Sequence, residues 1–335
     1  MTTQINRQWL FKARPTGPVG PEHFEWREGQ VPTPGPGQVL VRNKMLSLDP
    51  ANRAWMDGPT YRGQLMPGQV MDGFAIGEVV QSNAANFAVG DIVDGVLGWQ
   101  DYVALRGGEL TKRDKRYSPE MLIGVLGVTG LTAYFGLLDV GRPRPGETVL
   151  VSGAGGAVGS IVGQIAKLMG CRVIGTAGGA DKCAWLTREL GFDAAIDYKQ
   201  GNLRAALKEA SPNGIDVYFD NTGGEVLDVA LFRMNLRGRI VCCGNVSQYD
   251  AAKPAPGPAA VPGLVVVKRL RLEGFVIMDY FHERAKAEAA LAGWVREGKI
   301  KSTEDIVDGL ENAPAALAGM FKGRNKGKLA VRVAK

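Results

Sequence analysis

Seven residues, Gly153-Ala154-Gly155-Gly156-Ala157-Val158-Gly159, follow the apolar run TVLVS without a gap and lead at once into a stretch of helical spacing. Binding of a dinucleotide pyrophosphate asks for this pattern. It needs backbone N–H groups at a helix N-terminus with no Cβ in the way, and a later glycine that lets the helix pack close to its strand. Gly156 and Gly159 meet these two needs, with Ala157 and Val158 between them. The spacing reads AxGxxG from Ala154, or GxxGxxG from Gly153, rather than strict GxGxxG. A glycine turn alone is a weak signal, and its place between a strand and an amphipathic helix makes it a dinucleotide site. The next expected strand ends in Gly175-Thr176-Ala177-Gly178-Gly179-Ala180, without the Asp or Glu that NAD binders set against the ribose hydroxyls. Asp181 suits the positive end of a helix dipole, and Lys182 beside it can reach a 2′-phosphate. NADP(H) is the expected cofactor.

Other reactive side chains are few. Histidine occurs only at 23 and 282, and the four cysteines, at 171, 183, 242 and 243, form no CxxC pair. A His-rich metal site, a zinc cluster and a His-based triad are therefore not expected, and no metal is predicted. Reduced, mostly buried thiols are the expectation, which leaves hydroxyl groups as the proton donors.

Two kinds of element must position these residues. Residues 30–105 alternate short apolar stretches (VLVRNKMLSL, AIGEVV, GDIVDGV, DYVAL) with Gly, Pro and Asp, the pattern of short antiparallel strands and turns. From about 148 to 278 strands alternate with helical stretches, which implies a parallel sheet with helices on both faces. Strands are expected at 149–151, 173–174, 194–196, 217–219, 240–242 and 275–277, with helices from Val158 to Met169, at 181–190, at 203–210 and at 283–297. Residues 251–263, with four prolines, read as a loop or rigid extended edge.

Length bounds the rest. A chain of 335 residues has room for about two domains, and its 45% hydrophobic and 22% charged residues are those of a globular protein. Glycine, at 46 residues, is about twice as frequent as average, so tight turns and close backbone approaches should abound. The net charge of +6 is scattered, and only 111–116 (TKRDKR) and 268–271 (KRLR) are basic clusters. That suits an anionic cofactor better than a nucleic acid, which asks for one dense face. The N-terminal MTTQINRQWLFKAR lacks the apolar core of a secretory signal, so a cytoplasmic location is expected. The uncharged runs 121–138 and 148–166 are rich in glycine and read as buried segments, not membrane spans.

The residues also resemble a known family. LSLDPANR (46–53), GWQDY (98–102), GVLGVTGLTAYFGLLDVG (124–141), the glycine loop within 151–182, FDNTGGE (219–225), CGNVSQYD (243–250), DGLENAPAA (308–316) and KGRNKGK (322–328) are similar, in order, to segments of the zinc-independent medium-chain dehydrogenase/reductases. The likeness is to the leukotriene B4 12-hydroxydehydrogenase, prostaglandin reductase and alkenal double-bond reductase group, and within it to bacterial NADPH-dependent curcumin reductases. It implies an α/β protein in two parts: a GroES-like, mostly-β catalytic domain from residues 1–130 and 300–335, and a Rossmann doubly wound parallel-sheet NADP-binding domain from 131–299.

Carried over position by position, the resemblance gives Gly156 to Gly159 the pyrophosphate and Lys182 and Tyr198 the 2′-phosphate. Asn221, the run Cys243-Gly244-Asn245 through Tyr249, Phe275, Val276, Ile277 and Asn325 line the nicotinamide and its ribose. Asn245 replaces the small apolar residue more usual there. The implied reaction is reduction of an enone or alkenal carbon–carbon double bond, in which charge developing on the carbonyl oxygen needs a donor. Tyr249, and secondly Tyr61, match family tyrosines at the substrate carbonyl, and a phenol can donate both a hydrogen bond and a proton. Trp55, Met56, Met66, Met71 and Trp99 are candidates for the substrate wall, although residues of these types are more often simply core. A homodimer is expected. An NADPH:quinone oxidoreductase, and an NADPH-responsive RNA-binding protein using the basic clusters, stay open as other readings.

Overall fold

In the computed structural model, residues 5–253 and 255–334 are described, and they form two compact units. One takes the chain through Ile123, Glu304–Asn325 and the stretch from Leu329 onward; the other takes Gly124–Thr303 and Lys326–Lys328. The sequence reading set the limits at 130 and 300. Residues 326–328 return to the second unit because the Gly327 amide donates to the Gly155 carbonyl at 2.9 Å and the Lys328 amide to Thr303 at 2.8 Å.

The first unit is built on strands with one buried face. Gln38–Ser47 pairs antiparallel with Phe74–Ser82, with Tyr102–Arg106 and with Lys328–Arg332, and Phe74–Ser82 pairs in turn with Ile92–Val96. A separate hairpin joins Ile5–Phe11 to Phe24–Gln30. Apolar side chains from these strands and from helix Pro50–Asp57 form one core that includes Phe11, Met56, Met71 and Trp99. Trp99 stacks on Phe24 with ring centroids 5.2 Å apart. Trp55, Met56, Met71 and Trp99 are thus buried core residues, the commoner of the two roles open to them, whereas Met66 is half exposed.

In the second unit the β/α alternation runs β1 (Thr148–Val151), α1 (Ala157–Leu168), β2 (Arg172–Ala177), α2 (Ala180–Arg188), β3 (Ala194–Asp197), α3 (Leu203–Ala210), β4 (Ile215–Asp220), α4 (Gly224–Arg233), β5 (Met234–Cys242) and β6 (Arg271–Gly274). The strands form one parallel sheet in the order β3-β2-β1-β4-β5-β6, the doubly wound arrangement of nucleotide-binding folds. Every residue of β1 is buried, as expected of a strand covered by helices on both sides.

The sequence reading departs from this at two points. The sixth strand is Arg271–Gly274, and Phe275–Ile277 follows it, with Ile277 opening a 3-10 helix. Residues 251–253 and 255–260 of the proline-rich stretch form no helix or strand, but Val261–Lys268 is a helix, started by Pro262 in its first turn, where a missing N–H costs nothing. Among the described residues no helix is long and apolar enough to cross a membrane.

The basic clusters are committed within their own units. Lys112 and Lys115 reach Asp91 at 2.7 and 3.7 Å, Arg113 reaches Asp94 at 2.7 Å, and Arg116 reaches Asp114 at 2.6 Å. Lys268 donates to the carbonyls of Leu231, Phe232 and Met234, closing the C-terminal end of α4, where a cation opposes the helix dipole. The charges that prompted an RNA-binding reading are therefore engaged by neighbouring acids and carbonyls.

Candidate active site

A doubly wound sheet leaves a crevice at the C-terminal ends of its strands where the strand order reverses, here between β1 and β4. Three turns meet at that place: the glycine loop after β1, residues 221–223 after β4, and residues 243–249 after β5.

The glycine loop has the shape its residues demand. Gly153 takes φ +58°, its carbonyl accepts the Gly156 amide at 3.0 Å, and Gly156 caps α1 in an extended conformation. The first N–H groups of α1 have no acceptor within the helix, so they are available to an anion. A Cβ on Gly159 would stand 2.5 Å from the Gly153 carbonyl oxygen, which shows how closely the helix packs on the loop. A Cβ on Gly155 would come within 3.2 Å of Lys182 Cδ, so the Lys182 stem lies against the loop from the first turn of α2. The cradle fits a dinucleotide phosphate because side chains are missing where one would fill it.

Beyond β2, Asp197 at the end of β3 accepts the amides of Gly179 and Lys199 at 2.9 and 3.1 Å and so holds the turn itself, and Asp181 stands in the first turn of α2. Tyr198 and Lys199 close over Gly178: a Cβ there would lie 3.1 Å from the Tyr198 hydroxyl and 3.3 Å from Lys199 Nζ. Lys199 was not singled out in the sequence; its adjacency to Tyr198 was the available signal.

At the reversal point the organising group is Asp220, also missed by the sequence reading and only 3% exposed. Its Oδ1 accepts the Tyr218 hydroxyl at 2.7 Å, the Ser152 hydroxyl at 3.0 Å, and the amides of Thr222 and Gly223 at 2.9 and 2.8 Å. Its backbone carbonyl accepts the amides of Cys243 and Gly244 at 2.9 and 3.1 Å. One residue thus ties the ends of β1, β4 and β5 together. Burial, and next the Asp220 charge, raise the Tyr218 hydroxyl well above its ordinary value and push the Cys243 thiol up to about 12. Cys242 is raised for the same reasons. These thiols stay protonated and shape the site without acting as nucleophiles.

The expected cofactor-lining residues take definite places. Asn221 donates its amide to Ser152 Oγ at 2.9 Å and its side-chain Nδ2 to the Ser152 carbonyl at 2.7 Å. Its own carbonyl accepts the Val246 amide at 3.2 Å, which pins the short helix Val246–Tyr249. The Tyr249 hydroxyl folds back to accept the Asn245 amide at 3.1 Å. Phe275 sits against Gly136, where a Cβ would lie 2.4 Å from its ring, and meets Tyr280 edge-on at 6.2 Å. Val276 is half-buried and Ile277 buried behind it. Tyr61 and Asn325 belong to the other unit, Tyr61 on an exposed loop. Among the described residues no group of three or more His, Cys, Asp or Glu is placed to hold a metal ion.

Comparison with known proteins adds to this geometry. Residues 7–112 match the family described as the N-terminal domain of oxidoreductase, and residues 157–293 the family described as zinc-binding dehydrogenase. The chain is 47% identical to the NADPH-dependent curcumin reductase of Escherichia coli (strain K12), over 99% of this chain and 98% of that protein. The chain belongs to the prostaglandin and alkenal double-bond reductase family of medium-chain dehydrogenase/reductases. Another relative of this reductase is prostaglandin reductase 1 of Mus musculus, 42% identical over 97% of this chain and 98% of that one. The reductase also matches the crystal structure of CurA from Vibrio vulnificus in complex with NADPH, with a TM-score of 0.94 and 41% identity, over 98% of this chain and 99% of that chain.

Proposed function

We infer that this protein is an NADPH-dependent oxidoreductase that reduces the carbon–carbon double bond of α,β-unsaturated ketones and aldehydes. The observation that carries the reading is its near-full-length likeness to reductases of this kind on a chain whose glycine loop turns directly into the N-terminus of α1. The cofactor supplies a hydride to the β-carbon. The chain's own groups do the rest.

The N–H groups from Gly156 to Gly159 hold the pyrophosphate, and Lys182, Tyr198 and Lys199 take the 2′-phosphate. Asn221, Cys243, Gly244, Asn245, Phe275, Val276, Ile277 and Asn325 line the nicotinamide and its ribose. Tyr249 is the catalytic donor: because its oxygen accepts the Asn245 amide, its own proton is left to give to the carbonyl oxygen that becomes negative. Tyr61 is the second candidate for that role. The GroES-like part carries substrate recognition and the sheet part the cofactor.

Two copies pair through β6, the edge of the sheet, beside Val266 and Val267, which are 73% and 66% exposed. A single species of twice the chain mass in light scattering is expected. The four free thiols suit a reducing cytoplasm.

The test follows NADPH oxidation against a panel of enones, quinones and secondary alcohols, with the products identified. Saturated ketones from enones are expected. Turnover confined to quinones, or to alcohols with NADP+, overturns the reading.

A further inference from the structure

Helix Val128–Phe135 does not end cleanly but widens into one π turn, Gly136–Gly141, where the Arg142 amide donates to the Leu137 carbonyl five residues back at 2.8 Å. Turns of this width are rare, and they are frequent at functional sites. This one lies on the sheet and is fastened to it. A Cβ on Gly141 would stand 3.2 Å from Val241 of β5 and 3.3 Å from Val217 of β4. The last carbonyls of a helical segment have no donor within it, and here arginines of β5 and β6 supply one. Arg271 donates to the Val140 carbonyl, and Arg239 donates to those of Gly141 and Arg142 at 3.1 and 2.8 Å.

The same turn meets the segment that follows β6. A Cβ on Gly136 would stand 2.4 and 2.8 Å from Cζ and Cε1 of Phe275, and 2.9 Å from Cε2 of Phe219. The Phe275 ring thus takes the place of the missing side chain. Tyr280 meets that ring edge-on, with centroids 6.2 Å apart, and is itself stacked at 4.8 Å on Phe135, the residue before the turn. The two segments therefore interlock, Phe135 and Gly136 with Phe275 and Tyr280. Carbon contacts are relaxed at about 3.5–4.0 Å, so a single methyl group at 136 would displace the Phe275 ring by about 1 Å.

We propose that Gly136 and Tyr280 are positioning residues for the cofactor's nicotinamide, fixing the Phe275 ring and through it the wall formed by Phe275, Val276 and Ile277. The inference rests on the proposed cofactor site, in which those three residues line the nicotinamide, and adds the groups that hold them in place. Such an interlock acts on one end of the cofactor. The glycines of the π turn meet β4, β5 and the segment after β6, whereas the residues proposed for the 2′-phosphate follow β2 and β3, across the point where the strand order reverses.

The test separates the two ends by comparing the dissociation constant of NADPH, read by nicotinamide fluorescence, with that of 2′,5′-ADP, which has the 2′-phosphate end without the nicotinamide, read by calorimetry. Gly136→Ala is expected to weaken NADPH about threefold to tenfold and 2′,5′-ADP less than about twofold, as a displaced ring contact should. It should also lower kcat on a good enone at least about tenfold, since misplacement by about 1 Å can cost still more. Phe275→Leu removes the ring atoms that the new methyl would strike, so in that background Gly136→Ala should leave the NADPH-to-2′,5′-ADP ratio where Phe275→Leu puts it. The contact with Phe219 persists in both backgrounds and should show as a lowered unfolding temperature. Tyr280→Leu reaches the same ring without adding an atom at 136 and should weaken NADPH selectively too, while Tyr280→Phe, which keeps the stacked ring, should restore the wild-type ratio. A ratio unchanged in both Gly136→Ala and Tyr280→Leu would make the interlock general scaffolding and overturn the proposal, as would an equal effect of Gly136→Ala with and without the Phe275 ring. An unchanged ratio in Phe275→Leu overturns the wall together with its positioning residues. The expected shifts in a protein that turns over no enone bring down the reductase reading alone.

Discussion

The hydroxyl of Tyr249 accepts the backbone amide of Asn245, four residues earlier, at 3.1 Å. That bond holds the phenol oxygen beside Asn245 and leaves its proton unused, which suits a hydrogen-bond donor to a developing oxyanion. Removing such a donor commonly costs on the order of 10²–10³ in kcat, and a water or cofactor hydroxyl can replace part of it. Tyr249→Phe should therefore lower kcat on a good enone at least about tenfold, with NADPH affinity by fluorescence titration nearly unchanged. Full activity in Tyr249→Phe with loss in Tyr61→Phe would move the role to Tyr61; full activity in both would make solvent the proton source.

On the proposed reading, Lys182 carries the cofactor preference. Its stem lies against Gly155, and Asp197, the carboxylate bonded to the Gly179 amide, is engaged in holding the turn. A charge-assisted contact to a phosphate is worth about 1.5–3 kcal/mol. Lys182→Ala should thus reduce the NADPH over NADH ratio of kcat/KM by about tenfold or more. The same reading gives Lys199 a share of the 2′-phosphate, so the double variant with Lys199→Ala should reduce the ratio further. A ratio that both single variants leave unchanged would remove the two lysines from the phosphate.

What the sequence reveals here depends on the range of the interaction. The glycine loop, α1 and the strand-and-helix alternation are written in local patterns, and helix Leu203–Ala210 falls on the residues its spacing predicts. Met56, Met71 and Trp99 are ambiguous in the sequence because an aromatic or thioether suits a core as well as a ligand wall, and burial assigns them to the core. Phe275–Ile277 reads as a strand because it is apolar, but the ladder to β5 is made by Arg271–Gly274, where the short alternation Arg269-Leu270-Arg271-Leu272-Glu273 was the available period-two signal. Asp220 is invisible for another reason. Its four donors come from β1 and β4 and from the turn beyond, and nothing local marks a carboxylate whose partners assemble only in the folded sheet.

Acid stability should show the ion pair under β1. Burial pushes the Glu147 carboxyl up, but the Arg239 guanidinium, at 2.9 and 2.5 Å, and the Arg144 amide, at 2.8 Å, outweigh it and hold the group below its ordinary 4.5. A carboxylate depressed in the folded state contributes stability that is complete above the unfolded value and lost as pH falls through the folded one. The urea midpoint should hold from neutrality to about pH 5 and drop below about 4.5. Glu147→Gln should cost about 1–3 kcal/mol at pH 7 and flatten part of that drop, Asp193 with Lys167 keeping the remainder. An unchanged acid slope in Glu147→Gln would show that the pair adds nothing to folding.

Asp220 should prove to be the residue on which the cofactor end of the sheet depends. Asp220→Ala strands two hydroxyls and two amides in a buried place, and each unmade bond costs about 1–3 kcal/mol, so a loss of about 3 kcal/mol or more in urea unfolding is expected, together with weakened NADPH binding. Asp220→Asn keeps an oxygen for those donors and removes only the charge, so it should cost less than half as much. The same variant has a second readout, because the Asp220 charge, after burial, is what holds the Cys243 thiol at about 12. Without that charge the thiolate becomes more accessible, and alkylation of Cys243 at mildly alkaline pH, followed by mass spectrometry, should run faster in Asp220→Asn than in the wild type. Equal stability of the Ala and Asn variants would mean that the four donors find other acceptors, and that the strand ends are held by packing alone.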